Sequence, residues 1–122
     1  MSILDQIYEK AKLNPQRVAF PEAENEKMMQ AAFEAGQEGY IIPILVGNVE
    51  KIKSLIAERG LDENVFQFVD IADEVYRDKI IAEYVALPET LLKEKPLIRR
   101  MKDPLYFAMV MEAVGEAEVT FA

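Results

Sequence analysis

The chain sets 14 Lys and Arg against 22 Asp and Glu over 122 residues, a formal net charge of -8, and it has neither cysteine nor histidine. Disulfides and thiol catalysis are thereby excluded, as are the commonest general base and the commonest metal ligand. The acidic balance argues against nucleic acid as the main partner, because binding a phosphate backbone needs a basic face. The length suits one domain with a real core rather than two. Met1-Ser2-Ile3-Leu4-Asp5 puts no basic segment before an apolar run. No stretch approaches the ~20 apolar residues of a membrane span, so the expectation is a cytoplasmic protein without a membrane partner.

Ser2 with Asp5 three residues on resembles a capping box, and Ile3, Leu4, Ile7, Tyr8 and Ala11 fall on one helical face that Asn14-Pro15 ends. Val18, Ala19 and Phe20 form a short apolar run bounded by Pro21, the pattern of a buried strand. Glu22, Glu24 and Glu26 are expected to open the next helix, where carboxylates meet its partial positive charge. Met28, Met29, Ala32, Phe33 and Ala35 give its stripe, closing near Gly36 and Gly39.

Ile41 to Val46 predicts a strand buried on both faces, although Pro43 lacks an amide hydrogen for the ladder. Gly47-Asn48 turns the chain, Asn48 caps a helix, and Val49, Ile52, Leu55 and Ile56 line its buried face up to Arg59-Gly60. Val65 to Val69 reads as a third strand, followed by a helix through Ile80, Ile81, Tyr84, Val85 and Leu87 that Pro88 stops. Leu91, Leu92, Leu97, Ile98 and Met101 are apolar, but Pro96 is expected to split them into two short pieces. Asp103-Pro104 marks a capped start for a last helix with Phe107, Val110, Met111 and Val114, ending at Gly115. Val119 to Ala122 looks like a further strand. Strands alternating with helices predict an α/β fold: a three-layer αβα arrangement, Rossmann-like, with a mainly parallel sheet and right-handed crossovers.

Four segments, in order and at suitable spacing, resemble the amino-terminal part of the phosphate acetyl/butyryltransferase family. They are Phe20-Pro21-Glu22-Ala23-Glu24-Asn25-Glu26-Lys27, Pro43-Ile44-Leu45-Val46-Gly47-Asn48, Asp103-Pro104-Leu105-Tyr106-Phe107 and Gly115-Glu116-Ala117. The resemblance implies that residues 1–122 form the first domain of a longer, two-domain phosphate acetyltransferase-type enzyme. The implied reaction moves an acyl group between an acyl phosphate and coenzyme A (acetyl-CoA + phosphate = CoA + acetyl phosphate). It uses no metal or prosthetic group, and coenzyme A is a substrate rather than a bound cofactor. Acetyl and butyryl substrates are not separated by these segments.

The family's catalytic Ser, Arg and Asp come from later in its chain, so the resemblance names no catalytic residue here. Lys27 corresponds to a family arginine implicated in coenzyme binding; it keeps the charge without the bidentate fork. A second family arginine, in a Leu-Arg-Lys-His segment, falls near Leu87-Pro88-Glu89-Thr90 and is absent. Lys93, Lys95, Arg99, Arg100 and Lys102 form the only dense basic cluster. Arg99 and Arg100 are taken from it as candidates for the anionic end of the coenzyme, against the alternative of a solvated charged face. Glu22 and Glu24 stand as candidates for shaping a cleft. Glu118-Val119-Thr120-Phe121 departs from the family's Asp-Gly-hydrophobic-hydrophobic-Ser-Gly pattern. The alternative function is a non-catalytic coenzyme-binding or interaction module of the same descent. A flavodoxin-like or receiver-like domain fits the residues poorly, because Asp70 lacks an acidic cluster and no glycine loop follows the first strand. The expected partners are small molecules and, through exposed apolar faces, further copies of the chain.

Overall fold

A computed structural model describes residues 14–88 and 94–121. The stripe from Ile3 to Ala11 and the pair Leu91 and Leu92 lie outside them. The elements are β1 (Gln16–Phe20), α1 (Glu26–Gln37), β2 (Ile41–Gly47), α2 (Val49–Glu58), a single 3-10 turn (Glu63–Val65), β3 (Gln67–Asp70), α3 (Glu74–Val85), α4 (Glu94–Arg100), α5 (Pro104–Ala113) and β4 (Val119–Thr120). All pairings are parallel, and the strand order is β3-β2-β1-β4. Among the described residues no helix is long and apolar enough to cross a membrane.

The sheet is covered on both faces, as its unbroken apolar runs require. Val18, Phe20 and Leu45 point into one core with Met29 and Ala32 of α1 and Ile52 and Ile56 of α2. The alternate residues Ala19, Ile44 and Val46 point into a second core with Ile80 and Ile81 of α3, Leu97 of α4 and Phe107, Val110 and Met111 of α5. This is the three-layer αβα arrangement expected from the sequence.

Pro43 sits within β2 at little cost. The Ile71 amide donates to the Gly47 carbonyl, so by alternation Pro43 directs its backbone toward β3. Pairing with β3 starts only at Ile44, and the missing amide falls before that ladder begins.

Three expectations change. Glu22 and Glu24 precede α1 rather than open it: Asn25 is the N-cap, its side chain accepting from the Lys27 and Met28 amides at 3.0 and 3.2 Å. Val65 ends the 3-10 turn, because Asp62 captures the Asn64 amide at 2.9 Å, and β3 starts at Gln67. Pro96 lies inside the described part of one helix, α4, rather than at a break before Leu97, while the piece expected at Leu91 and Leu92 lies outside the described residues.

Candidate functional site

An open cleft of about 530 Å³ lies at the carboxyl ends of the strands. Its floor is the turn after β1, with Pro21, Glu22 and Glu24, and the turn after β2, with Gly47 and Asn48. Ile71 borders it after β3, and Lys102 and Pro104 close it from the α4–α5 connection. Open parallel sheets bind ligands at this end, beside the place where strand order reverses.

Three helices begin at this cleft. Asn25 caps α1, Asn48 caps α2 by accepting from the Lys51 amide at 3.2 Å, and Asp103 caps α5 by accepting from the Leu105 amide at 3.0 Å. Each cap leaves other first-turn amides without an intrahelical partner, and the three N-termini bring partial positive charge to one place. Gly47 has φ +152°, a conformation L side chains rarely adopt, and it leaves bare backbone at the floor. Lys102 supplies a full positive charge. The same cleft is lined by Glu22 and Glu24, the latter with its carboxylate 3.5 Å from Lys51 Nζ. A second hollow, bordered by Glu74 and Arg77, shares Ile71 and Lys102 with the first, so Lys102 stands between the two. The arrangement suits an anionic group held by backbone amides and one ammonium, with a carboxylate wall beside it.

The candidate residues are dispersed around this cleft. Glu22 and Glu24 line it. Lys27 does not; it is exposed in the first turn of α1 and borders a separate hollow with Glu26, Gln30 and Arg59. Arg99 and Arg100 are exposed in the last turn of α4, with the Arg100 guanidinium 5.6 Å from the Tyr106 ring centroid. Lys93 and the side chain of Lys95 lie outside what is described. Of the basic cluster, Lys102 is the member that the turn into α5 brings to the cleft. Its signal in the sequence is its place directly before the Asp103-Pro104 helix start. Among the described residues no group of three or more carboxylates is placed to hold a metal ion.

The family model for phosphate acetyl/butaryl transferase matches residues 2–122. A phosphate acetyltransferase of Acetivibrio thermocellus is 31% identical over 123 residues, covering 97% of this chain and 35% of that protein. Another, from Thermoanaerobacterium thermosaccharolyticum, is 32% identical over 122 residues, with coverage of 97% and 36%. A solved phosphotransacetylase from Streptococcus pyogenes shares the fold with a TM-score of 0.83 at 22% identity, covering 98% of this chain and 37% of that one. The chain spans about a third of the length of the curated relatives it matches.

Proposed function

The chain belongs to the phosphate acetyl/butaryl transferase family, and from that premise we propose that its cleft serves acyl transfer between an acyl phosphate and the thiol of coenzyme A. In the direction of thioester formation the sulfur bonds to the carbonyl carbon, the carbon–oxygen bond to phosphate breaks, and inorganic phosphate leaves. The thiol proton passes to a base. No side chain of this chain is assigned that role; the base and the remaining phosphate ligands belong to polypeptide that the relatives have beyond the matched third.

The observation that carries the reading is the convergence of three helix N-termini and Lys102 on one cleft in a chain of this family. Unpaired amides and an ammonium are what a phosphoryl group and a developing oxyanion need. Gly47 lets the ligand approach the backbone. Lys27, Arg99 and Arg100 remain proposed contacts for the anionic end of the coenzyme, reached outside the cleft. Cytoplasmic residence and assembly into a homo-oligomer are part of the same proposal.

A second reading, a coenzyme-binding module without turnover, is favoured by the cleft wall itself, whose titratable groups among the described residues are two carboxylates and one lysine, none of them assigned as base. Titration calorimetry of coenzyme A into the chain, with a thioester assay on acetyl and butyryl phosphate, tests both. We expect binding that Lys102→Ala weakens about tenfold, the value of one charge-assisted hydrogen bond, and no turnover by this chain alone. Absence of coenzyme binding would overturn the proposal. Turnover proportional to this chain would overturn the assignment of the base to the remaining polypeptide.

A further inference from the structure

Among the lysines whose side chains are described, most have a fixed station. Lys51 Nζ lies 3.5 Å from the Glu24 carboxylate, and Lys79 donates to Glu116 at 2.6 Å. Lys53 stands over the Phe68 ring, 5.0 Å from its centroid. Within that set Lys27 and Lys102 have neither an ion-pair nor a ring partner. Of these two, Lys102 lines the cleft and Lys27 borders a separate hollow.

Lys102 borders two hollows at once, the cleft of about 530 Å³ and a neighbour of about 320 Å³ that it shares with Ile71, Glu74 and Arg77. Its backbone is anchored on both sides: Met101 before it is buried, and Asp103 after it caps α5. The amides left free at the starts of α1, α2 and α5 face the same cleft. An acyl phosphate seated on them by its phosphoryl group brings its carbonyl into a space whose one described amine is Lys102.

We propose that Lys102 is a site of self-acylation, modified by the acyl phosphate that the cleft holds; the inference rests on the acyl-transfer reading above, which supplies that reagent. An acyl phosphate acylates amines as well as thiols, and placement at the carbonyl, worth effective concentrations of about 10⁵ M or more when well oriented, decides which nucleophile wins. The Lys102 ammonium gives one proton to solvent, and its nitrogen bonds to the carbonyl carbon. The carbon–oxygen bond to phosphate breaks, a second proton leaves with the phosphate as hydrogen phosphate, and the acyl group stays on the lysine as an amide. That amide is uncharged. The cleft then keeps the Glu22 and Glu24 carboxylates and loses its ammonium, so its hold on anions weakens. While coenzyme thiol is present it consumes the acyl phosphate; when thiol is short, the amine is next in line and the site shuts itself off.

The experiment exposes the chain to acetyl phosphate without coenzyme A and follows each lysine by peptide mass spectrometry. We expect Lys102 to be acetylated at least about tenfold faster than Lys27, the other unpartnered lysine, and inorganic phosphate to slow Lys102 alone. Acetic anhydride, which has no phosphoryl group to seat, is expected to treat the two lysines alike. Chain acetylated at Lys102 should bind coenzyme A about tenfold more weakly than unmodified chain, with its melting temperature unchanged. Equal rates at Lys27 and Lys102 with acetyl phosphate overturn the inference. The same preference for Lys102 with acetic anhydride also overturns it, because the preference is then the amine's own reactivity rather than the work of the cleft. Calorimetry with inorganic phosphate and with coenzyme A separates the two failures: ligands that bind while Lys102 shows no preference refute the acylation alone, and absence of binding by either refutes the acyl-transfer reading with it.

Discussion

The two ends of the sheet are built on opposite terms. At the amino ends of the strands the chain is closed on itself. Gly36 lets α1 settle on the start of β2, where an added Cβ would lie 2.8 Å from Pro43 Cγ and from Val65 Cγ1. Arg17 binds the segment entering β4 twice over: its amide and Nε donate to the Glu118 carboxylate, and its Nη2 donates to the Gly115 carbonyl at 2.7 Å. Glu116 in the same segment takes a 2.6 Å bond from Lys79. At the carboxyl ends the turns stand apart, three helices start with amides unspent, and Gly47 exposes backbone. The closed end fixes register, and the open end keeps donors for a ligand.

The largest test of that contrast is Gly36→Val. Pro43 is a ring in a buried strand and yields little, so overpacking costs about 1–3 kcal/mol. We expect a fall in melting temperature of several degrees, with coenzyme A affinity per folded molecule unchanged. An unaltered melting temperature would show that the amino end is not tightly closed. Next in size is Gly47→Ala at the other end. The new methyl meets Ile52 Cδ1 at an ordinary 3.4 Å, so the loss is conformational, about 1 kcal/mol for alanine at positive φ. Here stability and coenzyme affinity should fall together, read from a urea midpoint and calorimetry on the same sample. Affinity that survives would separate Gly47 from the ligand.

Much of this was legible in the residues. The apolar runs at Val18–Phe20 and Ile41–Val46 carry both parities, and both faces are buried. Asn48 and Asp103-Pro104 cap the helices they were expected to cap, and Gly115 closes α5 at φ 83°. What escaped was decided by competition between neighbours. Three alternating carboxylates look like a first helical turn, but the Asn25 amide donates to the Glu22 carbonyl at 3.0 Å and its side chain accepts from the Lys27 and Met28 amides, which moves the start to Glu26. Asp62 likewise delays β3. Within five clustered basic residues, the one local hint that Lys102 reaches the cleft is its place directly before Asp103-Pro104, and charge alone does not distinguish it from Arg99 and Arg100. Met101, fully buried between Arg100 and Lys102, is a tertiary anchor that the sequence does not show. Lys27 shows the converse: its charge was visible, but its place beside Arg59 rather than at the cleft depends on how α1 lies on α2.

The smallest expected effect concerns the clamp at the closed end and its dependence on pH. Burial alone would raise the Glu118 carboxyl, but the hydrogen bonds from the Arg17 backbone and side chain outweigh it and hold the group below its ordinary value. A carboxylate lowered in the folded state adds stability that is complete above its unfolded pKa and is lost as pH falls through the folded one. Lys79, raised through its hydrogen bond and charge interaction with Glu116, behaves in the opposite sense: its contribution is complete below the unfolded lysine value and is lost only as pH rises through the folded one. Between these two limits both pairs hold, so the β4 entry is tied down across neutral pH. Glu118→Gln keeps an acceptor for the Arg17 amide and removes the charge. Both partners are more than a third exposed, so solvent screening keeps the difference from the parent chain at or below about 1 kcal/mol near neutrality. Urea midpoints taken from neutral pH into acid should show that difference shrinking to nothing, and added salt should reduce it at neutral pH. A difference that persists undiminished in acid would mean that shape rather than charge ties β4 to β1, and the closed end would then owe its rigidity to packing around Gly36 alone.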